Sequence, residues 1–400
     1  MRREAIFLIF LLVLNLSSGC NENDVDLSVP PEIRVATATI SENDPSDGIL
    51  IFKASMEKSW PEDLVFLWSL EGLTAMPGSD FGAIDDMQAV IPAESIDINL
   101  PVEILDDSLM EFTEQFLIRI QQEGRQDRQT VITILNDDYL NPEWTAEGPV
   151  TSLQYPGMQL VWHDEFDGNT INTEYWNYDA ANAFPVNCGG NDGQIGMYSG
   201  DDGHLRQENG RLIITATLDY QTGIYRSSRI NSKEKVNISL GRIDIRAKLP
   251  NGSGLASGFS LIGMHGDWPA GGEIEILKMA GSKPGSITTG LVYDNGGPHF
   301  VENQYLPEEN SLDLSGIFHI YTILWEEDRI TWLLDYVPFY SISRLEFPGT
   351  YLYNDPFFFR VNLAVGGLFA GDPLDPADFP ADLEVDYIRV YQISEKITNP

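Results

Sequence analysis

Positive charge is scarce in this chain of 400 residues: 24 Lys and Arg stand against 61 Asp and Glu, a formal net charge of −37. Neutralising phosphates takes clustered basic side chains, and no cluster longer than a few residues occurs. The composition therefore implies no nucleic acid partner. Cysteine is scarcer still, with Cys20 and Cys188 alone. Two thiols build neither a disulfide framework nor a cysteine-rich zinc site. The five histidines form no HExxH pattern, which removes the usual zinc-protease signature. After residue 20 no apolar run is long enough to cross a bilayer. What remains is ordinary: a hydrophobic content of 42% supplies core for two or three domains.

The first 20 residues read MRREAIFLIFLLVLNLSSGC. Arg2 and Arg3 precede an apolar run, Ala5 to Leu16, too short for a retained membrane span. Small residues then lead to Cys20. This pattern resembles the bacterial lipobox, in which the cysteine is acylated and becomes the new N-terminus. The plainer alternative is a secretory signal that happens to contain Cys20. The lipoprotein reading makes 1–19 a signal peptide and 20–30 a polar tether. It places the protein at the bacterial outer membrane or cell surface, held to the membrane by lipid.

Residues 31–138 are strand-like. Short apolar or alternating runs, such as Leu64–Ser69 and Phe116–Ile120, are separated by turns at Gly48, Gly72, Pro77-Gly78 and Gly124. That spacing predicts an antiparallel sandwich. Ile40-Ser41-Glu42-Asn43-Asp44, Gly78-Ser79-Asp80-Phe81, Ile104-Leu105-Asp106-Asp107 with Glu111 and Glu114, and Asn136-Asp137-Asp138 together resemble a Calx-beta domain. Glu42, Asp80, Asp106, Asp107, Asp137 and Asp138 fall at strand ends. Calcium takes six to eight oxygens, mostly from carboxylates. These acids are thus either calcium ligands or solvated acidic turns. Residues 139–154, with Asn141-Pro142 and Gly148-Pro149, read as a linker.

Residues 155–393 are again rich in strands. Arg242–Ala247 and Val385–Val390 alternate at period two, which predicts a large two-sheet jelly roll. The informative segment is Trp268-Pro269-Ala270-Gly271-Gly272-Glu273-Ile274-Glu275-Ile276-Leu277-Lys278. On a strand, Glu273 and Glu275 share one face and the isoleucines share the other. Paired carboxylates persist if solvated, if bound to a ligand, or if one stays protonated for catalysis. A retaining glycosidase uses such a pair, one acid as nucleophile and one as acid/base.

This region resembles glycoside hydrolase family 16, the laminarinase and β-glucanase group. The resemblance runs through Trp162-His163-Asp164-Glu165-Phe166-Asp167-Gly168, Ser227-Ser228-Arg229-Ile230, Leu240-Gly241-Arg242, Asn362-Leu363-Ala364-Val365-Gly366-Gly367 and Val385-Asp386-Tyr387-Ile388-Arg389-Val390-Tyr391. It implies an all-β chain: a Calx-beta-like antiparallel sandwich followed by a concanavalin-like β-jelly-roll sandwich. The family's catalytic strand reads E-x-D-x-x-E. It implies Glu273 as nucleophile and Glu275 as the assisting acid, and it places Lys278 at the acid/base position. A motif shorter by one residue puts Leu277 there instead. Neither register supplies an acid. A lysine between two carboxylates stays charged and donates poorly to a glycosidic oxygen, and it serves better as an ion-pair partner. Two family tryptophans are replaced by Ala256 and Ser260, a histidine by Val292 and a third tryptophan by Phe369.

Further site residues follow from the resemblance. Asn191, Arg229, Trp268 and Asn362 occupy groove positions. Trp268 could equally be a packing residue, and Arg229 an ion-pair partner. Glu165 and Asp386 correspond to a structural calcium site on the convex face, or else are ordinary surface acids. The expected function is binding of a β-glycan, such as a laminarin-type β-1,3-glucan, with hydrolysis lost. The alternatives are a retaining endo-β-glycanase with a displaced acid, for instance Asp294, and a structural adhesion protein.

Overall fold

The structure is a computed structural model that describes residues 29–42, 48–106, 112–135, 142–155, 157–179, 193–201, 203–306 and 313–393. Cys20, Asp107, Asp137, Asp138 and Asn191 lie outside these residues. The described chain is all-β, with one short 3-10 turn at Pro376–Asp378. Among the described residues no helix is long and apolar enough to cross a membrane.

The chain divides into two compact units, one drawn from residues up to Thr133 and one drawn mainly from Ile134 onward. The first has a three-stranded sheet (Arg34–Val35, Ile49–Ser55, Asp97–Glu103) and a five-stranded sheet (Ala38–Ser41, Arg128–Leu135, Glu114–Gln122, Leu64–Gly72, Met87–Ile91). Alternate residues are buried, as in Leu64, Phe66, Trp68 and Leu70. This is the period of a sheet that buries one face. Phe52 of the smaller sheet meets Phe116 of the larger edge-on, with centroids 6.5 Å apart.

The second unit packs a ten-stranded sheet against a seven-stranded one. The ten-stranded sheet is built around Ala381–Ile393, which pairs with Gly241–Lys248, Leu212–Asp219 and Met158–Asp164. The seven-stranded sheet runs Asn177–Tyr178, Arg229–Asn231, Phe357–Val365, Leu255–Gly263, Glu273–Ala280, Ile287–Asp294, Pro298–Tyr305. One apolar core lies between the sheets and includes Ile245, Ile274, Leu291, Trp325, Trp332 and Phe359.

The segment expected to be a linker is built into this unit. Glu143–Thr145 and Gly148–Val150 form a hairpin. Arg246 Nε donates to Pro149 O at 2.6 Å and Arg389 Nη1 to Thr151 O at 3.0 Å. Both arginines are buried, so carbonyls of this segment satisfy donors that would otherwise lack partners. Those contacts hold the segment on the sheet, which Pro and Gly content alone does not reveal.

Candidate functional site

The site is the outer face of the seven-stranded sheet, and strand register fixes its layout. Residues directly opposite in an antiparallel sheet share a face. One cross-strand row reads Arg229, Asn362, Gly258, Lys278, Thr288, Gln304. The next reads Arg360, Ser260, Glu275, Gly290, Glu302, and a third runs from Glu273 through Val292 to Phe300. Glycine is needed at Gly290 (φ +155), where a Cβ would lie 2.2 Å from Val301 O.

Lys278 shares the face of the two glutamates because the strand carries a β-bulge. Glu275 pairs with Ser260 and Leu277 with Phe259, which leaves Ile276 as the extra residue. Ile276 and Leu277 consequently both enter the core, and Lys278 returns to the cleft. A bulge leaves ladder groups unpaired. Here Thr289 Oγ1 donates to Glu275 O at 2.8 Å and to Ile276 O at 3.0 Å, and Trp332 Nε1 donates to Glu275 O at 3.0 Å. Lys278 therefore shares the cleft with the two glutamates, and Leu277 is buried in the core at its edge.

Glu273 and Glu275 are 5% and 8% exposed. Both Glu273 oxygens are held: Arg360 Nη2 donates to Oε1 at 2.5 Å and Trp268 Nε1 to Oε2 at 2.7 Å. Glu275 Oε1 accepts from Lys278 Nζ at 2.9 Å. Lys278 also lies 3.4 Å from Glu302 Oε1 and sits over the Phe369 ring at 4.7 Å. Burial pushes the Glu275 carboxyl up to about 7; Lys278 opposes the rise, while the charge of Glu273 adds to it. Burial alone would lower Lys278, but Glu275, then Glu302 and Glu273, hold its ammonium above the ordinary lysine range. At neutral pH Lys278 thus puts a cation in the cleft.

Glu273, Glu275, Lys278, Trp268, Arg229 and Asn362 line one cavity of about 210 Å³. Trp268 packs in the cleft and also orients Glu273. Arg229 lines the cleft and is ion-paired, its Nε 2.6 Å from Asp179 Oδ2. Asp294 lies at the hairpin turn, where Oδ1 accepts from Gly297 N at 2.9 Å. Sequence reasoning missed Arg360 and Phe300, which line the cavity, and Glu302 beside Lys278. The signal for Arg360 was a charge two residues before Asn362 in the otherwise apolar run Phe357–Val365. Phe300 and Glu302 show a matching two-residue spacing, on a strand with no motif to draw attention.

The expected calcium acids are placed as follows. Glu165 is held by Arg389, with contacts of 2.8 and 2.7 Å to its two oxygens, and Asp386 by Arg246 at 2.7 Å. In the first unit Asp80 is buried and accepts from Met76 N. Leu105 N donates to Asp80 O at 3.0 Å. Glu42 is buried beside Leu135. Among the described residues no group of three or more acids, histidines or cysteines is arranged to hold a metal ion.

Residues 194–389 match the family described as Glycosyl hydrolases family 16. The chain is 32% identical to the Beta-glucanase of Rhodothermus marinus, over 61% of this chain and 89% of that protein. It is 31% identical to Glucan endo-1,3-beta-glucosidase A1 of Niallia circulans over 64% of this chain, but spans only 41% of that protein's length. Among solved structures, it is similar to the endo-beta-1,3-glucanase from Pyrococcus furiosus, with a TM-score of 0.54 and 31% identity over 59% of this chain and 94% of that one. The laminarinase catalytic domain from Thermotoga maritima gives 0.53 and 32% over 59% and 98%.

Proposed function

The chain belongs to glycosyl hydrolases family 16, and from this we propose that its cleft binds a β-glycan of the laminarin type, a β-1,3-glucan, without hydrolysing it. One observation carries the loss of hydrolysis: the bulge turns Lys278, not a carboxylic acid, into the cleft that Glu273 lines. A retaining mechanism needs a nucleophile and a group that protonates the leaving oxygen. Glu273 suits the first role. Lys278 is a cation engaged by Glu275 and Glu302, and its raised pKa makes it a weak acid. General acid catalysis is typically worth about 10²–10⁴-fold, and a natural glycan with its poor leaving group depends on it heavily. Binding has no such requirement: flat apolar faces and fixed polar groups hold a sugar. Trp268, Phe369, Arg229 and Asn362 supply both in this cleft.

The purified protein is expected to bind laminarin and to release no reducing ends on long incubation. Cleavage with retention, abolished by Glu273→Gln, would overturn the reading and require another acid.

The same proposal covers the rest of the chain. Residues 31–138 are a Calx-beta-like spacer whose acidic turns at Glu42, Asp80, Asp106, Asp107, Asp137 and Asp138 take calcium, a reading supported by the sequence of those turns. Cys20 carries a lipid that holds the protein at the bacterial outer membrane or cell surface, a reading supported by the sequence of residues 1–20. Calcium at Glu165 and Asp386 has less support, since each acid already has an arginine partner.

A further inference from the structure

We propose that Phe300 forms a sugar-stacking subsite on the wall of the cleft beyond Glu273, taking a β-linked hexopyranose ring of the bound glycan. The inference rests on the reading of the cleft as a glycan site. Its observation is separate: an aromatic side chain that the core does not use. Strand Pro298–Tyr305 alternates. Val301 and Tyr305 pack against the core, whereas Phe300, Glu302 and Gln304 face the other way and are exposed. On that polar face Phe300 is 50% exposed and lines the same cavity as Glu273 and Trp268. An exposed aromatic in a concave site, surrounded by polar groups, is a feature of ligand recognition rather than of packing.

The surroundings give the ligand class. Between Phe300 and Glu273 in the cross-strand row stands Val292, which is buried. The sheet floor nearby is small-sided at Ala256, Gly258 and Ser260. On the other side of the Glu273–Ala280 strand, past the end of Phe357–Val365, Leu368 and Phe369 are 87% and 39% exposed and line the same cavity. Apolar surface thus stands on two walls, with carboxylates, Lys278 and Asn362 between them. A β-linked pyranose has the complementary form: axial C–H groups make its faces apolar, and its equatorial hydroxyls form a polar edge. The ring face would stack on Phe300, and the hydroxyls would meet Glu302 on the same strand face, about 7 Å along.

The test is calorimetric titration of the full chain with a β-1,3-linked glucose oligosaccharide. Phe300→Ala and Phe300→Leu should each weaken binding about five- to tenfold, the range given by one aromatic contact. Leu retains apolar bulk without a flat face, so its failure to rescue would identify stacking. Phe300→Trp should bind at least as well as the unmodified protein. Trp144→Ala, which removes an exposed ring that does not line the cleft, should have no effect. Thermal melting of each variant checks its fold. Binding within twofold of the unmodified protein in Phe300→Ala, with loss in Trp268→Ala, would overturn the Phe300 subsite and leave the glycan reading standing. Full affinity in Phe300→Leu would overturn stacking. Absence of binding by the unmodified protein would overturn the glycan reading itself, and this inference with it.

Discussion

Replacing Glu275 by Gln should make the second unit more stable at pH 8 and leave it nearly unchanged at pH 5. Burial raises the Glu275 carboxyl from 4.5 to about 7 in the folded state. Below pH 4.5 folded and unfolded chains both hold the proton. Between 4.5 and 7 the unfolded chain has released it and the folded chain has not. Folding therefore takes up a proton in this window, and stability falls as pH rises through it. The upward shift corresponds to about 3 kcal/mol once the folded carboxyl has ionised. A unit of this size loses roughly 2–4 °C of Tm per kcal/mol. The variant should thus gain roughly 6–12 °C relative to the unmodified protein between pH 5 and pH 8. Gln preserves the shape and carries no charge, so at pH 5 the two should melt within a degree or two of each other. Scanning calorimetry across this range is the assay. Parallel Tm curves would refute the reasoning, because they would mean that Glu275 ionises in the folded state as easily as in the unfolded chain.

Trp332→Phe should cost about 1–2 kcal/mol by removing the indole donor from Glu275 O, measured by denaturant unfolding; no change would mean that Thr289 alone satisfies the bulge. An aryl β-glucoside with a good leaving group needs little protonation, so it should turn over slowly at Glu273 where laminarin does not, and Glu273→Gln should abolish that turnover. Millimolar calcium should raise the melting temperature of the first unit through binding to its native state, and a melt unchanged by chelator would remove calcium from the account. Cys20→Ala should move the protein from the membrane fraction to the soluble fraction; unchanged retention would count against lipidation.

The sheets of the second unit were legible because their residues obey a local rule. Leu212–Thr217, Arg242–Ala247 and Val385–Val390 alternate at period two, and each is found in a strand. Glu273 and Glu275 were legible as a pair for the same reason. Period two alone places Lys278 on the core face, and it was read as a site residue only through the family resemblance. Its return to the cleft depends on an extra residue, Ile276, whose freed carbonyl is satisfied by Thr289 and shares that neighbourhood with Trp332. Trp332 is more than fifty positions away and belongs to the opposite sheet. A bulge of this kind is decided by long-range hydrogen bonding, which no window of sequence contains.

The bulge also bears on why a cation stands beside Glu275. With a carboxylic acid at position 278, a fourth acid would join Glu273, Glu275 and Glu302 on one partly buried face, and at least one would have to stay protonated. Such a proton is what an acid/base catalyst uses, and it comes at a cost in stability when the cleft is empty. Lys278 lessens that requirement by pairing with Glu275 and Glu302, while Arg360 and Trp268 hold Glu273. Each charged group on this face then has a partner before any ligand arrives. The arrangement keeps the cleft's shape and polar lining without placing an acid at position 278. Binding a sugar does not need one there; cleaving an unactivated glycosidic bond depends on a proton donor. Lys278→Glu alone should therefore lower stability at pH 8 by more than at pH 5, since the new acid must either ionise beside Glu275 or hold a proton against the solvent. A variant equally stable at both pH values would show that the face tolerates a fourth carboxylate, and the electrostatic account of Lys278 would fail.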